Sequence, residues 1–232
     1  MTTLDFLDRG VDLYGDCVGI IADDGTTYTY AEFGERVDRA AVALAASGID
    51  AGDRVGILAP NTHYVLELLF AANVLGAVSV PINYRLIAED YAYILDDCGA
   101  SAVVVDTTLT EPIDAVRDAV PARTFIAAGP GPTPDDWQSY EDLLAAAYRE
   151  LLEETGVQTA HVALRGQTRD WQYYDLPHEV VPKRWKGRFR GQKQMWFLME
   201  LTAREDVIDL TYKDVEFSDW RWMSGPELLE TI

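Results

Sequence analysis

The sequence predicts an α/β protein made of two unlike regions in tandem, the first a layered fold on a mainly parallel sheet. Three observations carry this. Before residue 129, short apolar runs alternate with amphipathic stretches of helical period, the pattern of repeated strand-helix-strand units. The run Gly129-Pro130-Gly131-Pro132-Thr133-Pro134 sustains neither a helix nor a central strand and reads as a connector. Composition then changes: 24 acidic and 7 basic residues stand up to residue 145, against 15 and 12 after it, and all four lysines and five of the six tryptophans follow residue 170.

Each element has its own warrant. Val18–Ala22 and Thr26–Tyr30, separated across Asp24-Gly25, read as a hairpin. Tyr30–Ser47 carries Phe33, Val37, Ala40, Ala41 and Leu44 at helical spacing and stops at Gly48, a residue suited to closing a helix. Arg54–Leu58 is the next strand, Tyr64–Leu75 the next helix and Ala77–Pro81 the strand after it. A helix over Ala88–Asp97 leads to Ala102–Asp106, whose valines fit a strand buried on both faces. Farther on, Val162–Leu164, Gln194–Leu201 and a shorter Val207–Leu210 read as strands.

With 232 residues, 48% of them hydrophobic, the chain can bury a sizeable core. A formal charge of −20 opposes wholesale attraction to a DNA duplex or an anionic membrane, so any contact with polyphosphate must be local. Cys17 and Cys98 stand alone, which indicates neither zinc nor a disulfide framework. The most apolar stretch, Val65–Ile82, is interrupted by Glu67 and Asn73, and the N-terminus lacks a basic start. The expectation is a cytoplasmic protein without a membrane span. His63, His161 and His178 have no mutual spacing that suggests a triad or a metal.

Three segments carry a first resemblance: Thr29-Tyr30-Ala31-Glu32-Phe33, Gly52-Asp53-Arg54-Val55-Gly56-Ile57-Leu58-Ala59-Pro60-Asn61 and Gly76-Ala77-Val78-Ser79-Val80-Pro81-Ile82-Asn83. In order and spacing, this run resembles the opening of the adenylate-forming acyl-CoA synthetases, the AMP-binding family. That resemblance implies the joining of a carboxylate to AMP and then to a thiol. The parts that do so, a Gly-rich phosphate loop followed by Lys and a catalytic Lys among them, have no counterpart here. Ligase activity is therefore not expected.

A second chemistry centres on residue 150. Ser139-Tyr140-Glu141-Asp142 resembles a capping box, and the helix it starts is expected to run unbroken to Gly156. Within it, Glu150, Glu153 and Glu154 crowd like charges at i, i+3 and i+4. On a continuous helix, Glu150 and Glu154 fall within about 20° of Leu143, at the edge of the apolar stripe rather than opposite it. Carboxylates placed there need a partner, and Mg²⁺ is one; a solvated acidic face is the bland alternative. The segment Arg149-Glu150-Leu151-Leu152-Glu153-Glu154-Thr155-Gly156-Val157, with Glu141 seven residues before Arg149, resembles the Nudix box. Eight of its nine specified positions fit, Asp135 standing where the opening Gly belongs. Carried over, Glu150, Glu153 and Glu154 are implied metal ligands for Mg²⁺ or Mn²⁺, and Arg149 orients them. The leucines and alanine after Glu141 also read as continuation of the first family, so the seam between the two resemblances falls between residues 141 and 149.

Beyond it, Lys183, Arg184, Lys186, Arg188, Arg190 and Lys193 form a basic run, uninterrupted by acids, with Trp185 and Phe189 interleaved. Such a run neutralises phosphate and stacks bases, or simply solubilises a loop. Gly191-Gln192-Lys193-Gln194, Trp196-Phe197-Leu198 and Glu216-Phe217-Ser218-Asp219-Trp220-Arg221-Trp222 resemble the RNA pyrophosphohydrolases and related dinucleoside polyphosphate hydrolases within the Nudix group. By that resemblance Glu216 is a further metal ligand or candidate base, and Gln192 joins the basic residues in binding substrate. Trp222 is expected in the core. Together the resemblances imply a partial, layered parallel-sheet N-terminal region over residues 1–138, with 129–138 as linker, fused to a partial Nudix-like α/β/α region over 139–232. The expected activity is metal-dependent hydrolysis of an RNA 5′ triphosphate end or a nucleoside polyphosphate. The alternative is an inactive chimeric or truncated product. Uncovered sheet edges in either part predict self-association.

Overall fold

The valine run is the centre of the molecule. In a computed structural model that describes residues 3–22, 24–146, 148–167, 172–175, 191–194, 196–213, 217–224 and 227, the strand Ala102–Asp106 is buried along its whole length. It is β5 of the chain. Before it come α1 (Leu4–Tyr14), the hairpin β1 (Val18–Ile21) and β2 (Thr27–Thr29), α2 (Tyr30–Ala46), β3 (Arg54–Leu58), α3 (His63–Leu75), β4 (Val78–Ile82) and α4 (Ala88–Asp97). After it come α5 (Thr110–Asp114), β6 (Thr124–Ala128) and β7 (Gln138–Ser139). The sheet runs β4-β3-β5-β6-β7 with every pairing parallel. Chain order reverses between β3 and β5, as in doubly wound sheets.

Period-two alternation along the strands sorts the side chains onto two faces. Ala102 and Val104 join Val55, Ile57 and Ile126 under α2, α3 and the later helix α6 (Tyr140–Ala146). Val103 and Val105 join Phe125 and Ala127 against Tyr91 and Leu95 of α4. The start of α2 is fixed by a reciprocal cap: the Glu32 N–H donates to Thr29 Oγ1 at 3.2 Å and the Thr29 N–H to Glu32 Oε2 at 2.8 Å, worth about 1 kcal/mol. Gly76, with φ of +70°, closes α3 in the left-handed conformation.

Glu67, one of the residues that breaks the apolar stretch Val65–Ile82, is fully buried on α3. Arg36 of α2 meets it bidentately, Nε to Oε1 at 2.6 Å and Nη2 to Oε2 at 3.1 Å. The same guanidinium reaches Glu141 of α6 at 2.7 Å, and the Tyr140 hydroxyl donates to Glu67 at 2.9 Å. Burial opposes the Arg36 charge, but its bonds to Glu67 and Glu141 outweigh that and raise its pKa. One cation thereby ties together three helices of the same layer.

Gly129–Pro134 turns the chain from β6 to β7, which pairs with β6 at Ile126↔Gln138 and Ala127↔Ser139. The predicted single helix over 139–156 is two helices, α6 and α7 (Arg149–Thr155). Between them Tyr148 has φ of −118° and ψ of 11° and is buried in the same core as Tyr140 and Leu144. Burial of that ring, rather than a Gly or Pro, interrupts the helical register.

The remaining strands, β8 (Val162–Gln167), β9 (Gln172–Asp175), β10 (Gly191–Gln194) and β11 (Phe197–Leu201), form two antiparallel ribbons, β8 with β11 and β9 with β10. Gln194–Leu201, predicted as one strand, is thus divided between two ribbons. Val207–Leu210 is not a strand: Glu205–Val207 is a 3-10 turn, and the Asp209 N–H goes to the Thr155 carbonyl at 2.8 Å instead of to a ladder. The ribbon β8-β11 rests on α2, where the Leu164 N–H donates to Asp38 Oδ2 at 3.1 Å and Arg39 bonds Thr159. Leu164 is buried in the core under α2, with Leu151, Val162, Phe197 and Met199 packed against it.

Candidate functional site

The seven residues of α7 carry the acidic motif. The Leu152 N–H donates to the Tyr148 carbonyl at 3.0 Å, which opens the helix, and the Gly156 N–H donates to the Leu152 carbonyl at 2.9 Å, which closes it. Gly156 has φ of +69°. A Cβ there would also lie 3.0 Å from the Asp209 Cβ and 3.1 Å from its carbonyl oxygen, so conformation and space both demand glycine.

Because the helix breaks before Arg149, the angular argument from Leu143 does not carry across to Glu150 and Glu154. Local environment replaces it. Arg149 is exposed at the first turn, and Glu153 and Glu154 are half-buried. Glu153 Oε1 accepts from Lys213 Nζ at 2.5 Å. Glu150 lies in α7, but its side chain is outside the described residues, as is Glu216 entirely. Among the described residues, no three His, Cys, Asp or Glu gather into a group that could hold a metal. Glu141, the earlier acid of the motif, is held by Arg36 in the first layer.

The substrate-binding candidates divide in the same way. Gln192 and Lys193 lie on β10 opposite Tyr174 and Tyr173 of β9, with side chains outside the described residues, and Lys183, Arg184, Lys186, Arg188 and Arg190 fall outside them altogether. Trp222 is not core. It is 62% exposed, and its Nε1–H donates to Glu205 Oε1 at 2.8 Å. With Trp220 and Phe217 it lines a groove of about 300 Å³ whose other walls are Leu151 and Thr155 of α7, Val162, Met199 and Leu201. Among the described residues no strand pairs with this segment, and the indole settles at a rim where its N–H finds a carboxylate. A larger cleft of about 610 Å³ between α1, α2 and β8 is lined by Asp8, Asp12, Glu32, Glu35 and Asp38, a charge that repels polyphosphate.

In the first layer, the carboxyl end of β5 brings Asp106 to the switch point of the sheet. Its oxygens are taken by the Tyr64 hydroxyl and by the Thr108 N–H and hydroxyl. Cys17 and Cys98 are free thiols, and no described helix is long and apolar enough to cross a membrane.

Sequence reasoning missed two residues of the α7 site, Lys213 and Asp209. The only signal for Lys213 is its rarity as one of four lysines, three positions before Glu216. Asp209 had none, since its part is a backbone contact.

Comparison with known proteins matches the chain to two families over overlapping stretches. The model of the AMP-binding enzyme family matches residues 7–168, and that of the NUDIX domain matches residues 131–231. An RNA pyrophosphohydrolase of Roseobacter denitrificans is 49% identical over 92 residues, which is 40% of this chain and 58% of that protein. Among solved structures, a benzoate CoA ligase from Burkholderia xenovorans superposes with a TM-score of 0.55 at 25% identity, over 61% of this chain and 28% of its own. A fatty acyl CoA synthetase of Mycobacterium tuberculosis does so with a TM-score of 0.51 at 29% identity, over 60% and 27%. The chain thus spans a little over half of the curated relative and less than a third of either ligase. Both family models claim residues 131–168, the stretch that holds α6, the break and α7. By its fold and by the match over most of its length, the chain belongs to the AMP-binding enzyme family, and it carries a NUDIX domain in its C-terminal part.

Proposed function

We propose that the C-terminal part is a divalent-metal-dependent phosphoanhydride hydrolase acting on RNA 5′ triphosphate ends or nucleoside polyphosphates. The observation that carries this reading is α7 itself. It presents Arg149, Glu150, Glu153 and Glu154 on two turns, ends on a left-handed Gly156, and has a cation drawn against Glu153. Carboxylate oxygens at this spacing suit a hard divalent ion, and the Lys213 contact with Glu153 supports the reading. Glu150, Glu153, Glu154 and Glu216 would hold Mg²⁺ or Mn²⁺. Such an ion, when bound, supplies an activated water and offsets charge on the phosphoryl oxygens. Arg149 orients the carboxylates. Lys183, Arg184, Lys186, Arg188, Arg190, Gln192 and Lys193 bind the polyphosphate and offset charge on the leaving phosphate.

We assign no ligase chemistry to the first part, because the sequence holds no Gly-rich run followed by Lys. It serves as the layer on which β8 and β11 rest, through Asp38, Arg39 and Leu164. We place the seam between the parts at the break after Ala146, within the interval 141–149, since β7 and α6 pack on the first sheet. A fused product without turnover is the competing reading, favoured by the capture of Glu141 by Arg36.

The test is release of pyrophosphate from 5′-triphosphorylated RNA with Mg²⁺ or Mn²⁺. Glu154→Gln should reduce it by about 100-fold or more. Equal release by both proteins would overturn the assignment, and no release by the native chain would favour the inactive product.

A further inference from the structure

Lys213 stands against one of the acids of the motif. Its Nζ lies 2.5 Å from Glu153 Oε1, with the lysine side chain 52% exposed and that of the glutamate 27%. The contact is built into the loop rather than reached by a wandering side chain. The Asp209 N–H fastens the loop to the Thr155 carbonyl at 2.8 Å, and Gly156 has no side chain to hold that loop off. The Asp209 carboxylate then takes the Thr211 hydroxyl at 2.7 Å and the Thr211 N–H at 2.9 Å. These two bonds, the hydroxyl's first, hold its pKa below the usual carboxylate range and keep it ionised as the organiser of the turn. The Tyr212 N–H closes the same turn on the Asp209 carbonyl at 3.2 Å. Lys213 therefore emerges beside α7 from a turn pinned to the C-terminal end of that helix.

We propose that Lys213 is an internal competitor for the divalent cation, holding Glu153 in the metal-free protein and yielding it when the ion enters. The inference rests on the metal-dependent reading of α7 and adds a residue to it. The physical case is charge balance. Glu153 belongs to a run of like charges along α7, and an ammonium against it offsets that charge without a metal. A lysine-carboxylate pair this exposed is weak enough for a divalent ion to displace, yet its loss is a cost that every binding event carries. Once released, the ammonium stays on its pinned turn at the edge of the site, ready to meet a phosphate oxygen of the substrate.

Mn²⁺ binding to the full chain, followed by titration calorimetry at low ionic strength, tests this without any measure of turnover. Lys213→Met should tighten Mn²⁺ binding by about two- to five-fold, the range expected from an exposed ion pair. Lys213→Arg should bind as the native chain does, because it restores the competing cation. The rise in melting temperature on adding Mn²⁺ should be larger for Lys213→Met than for the native chain, since the metal-free variant lacks its substitute charge. Equal or weaker Mn²⁺ binding by Lys213→Met overturns the proposal. Absence of Mn²⁺ uptake by the native chain and both variants, all folded by circular dichroism, overturns the metal-dependent reading instead and the proposal with it.

Discussion

Replacing Arg36 by Met removes the cation that three helices share, and the structure sets the size of the effect. Glu67 is fully buried and would keep only the Tyr140 hydroxyl, at 2.9 Å, of the partners described above. Stranding a buried carboxylate in this way costs about 3–5 kcal/mol. The Glu141 arm is different: with its side chain 57% exposed, it contributes about 1 kcal/mol at most. For a chain of this length, the combined loss should lower the melting temperature by about 6–24 °C. Urea unfolding followed by tryptophan fluorescence measures the same loss at fixed temperature. Two companions isolate the cause. Glu141→Gln alone should cost about 1 kcal/mol or less. Arg36→Met combined with Glu67→Gln should recover at least half of the loss, because the amide removes the stranded charge and still accepts from Tyr140. A loss below about 1 kcal/mol for Arg36→Met, or a double variant no more stable than the single, would refute the view that the ion pair offsets the burial of Glu67.

Gly156→Ala forces a side chain into a left-handed position and against Asp209; it should cost about 1–2 kcal/mol or more by thermal melting and loosen the loop that carries Lys213. Leu164→Ala removes a buried side chain that packs in the core under α2, and a cost of about 2–3 kcal/mol in urea would show that β8 depends on the first layer. Burial pushes the Tyr140 and Tyr148 hydroxyls above the ordinary value of 10.0, with Glu67 adding to the effect at Tyr140 and Asp38 at Tyr148. Both stay protonated in the fold while the unfolded chain ionises. Their stabilising effect is therefore complete below pH 10 and falls as pH rises above it, by about 1.4 kcal/mol per pH unit for each. Unfolding free energies should fall with pH above 10, where Tyr28, Tyr91 and Cys98, also raised by burial, add to the slope, and Tyr148→Phe should remove one tyrosine's share of it.

What the sequence made legible follows from how locally each feature is determined. β3, α4 and β5 begin and end where the pattern places them, because buried valine and isoleucine runs and a bordering glycine act within a few residues. The Arg36–Glu67–Glu141 network has no such signal, since its members lie up to 105 residues apart and Glu67 looks, in sequence, like an interruption of an apolar run. Ala145-Ala146-Ala147 favours a continuous helix, and only the burial of Tyr148 in a distant core explains the break. The acidic motif was legible as spacing, whereas the lysine that meets Glu153 arrives on a loop 60 residues later. Trp222 was misjudged because an aromatic residue implies burial only where something is placed to cover it.

The interruption around Tyr148 has a consequence for how such a chain can be assembled. Along an unbroken helix each added or deleted residue turns everything downstream by about 100° and shifts it by 1.5 Å, so a splice inside one would have to match its neighbour in phase. A break between the two helices, such as the one at Tyr148, discards that phase relation. The upstream piece keeps its grip on the parallel sheet while the downstream piece aims its acids independently, which makes this joint a place where unrelated folds can be exchanged without either having to be re-tuned.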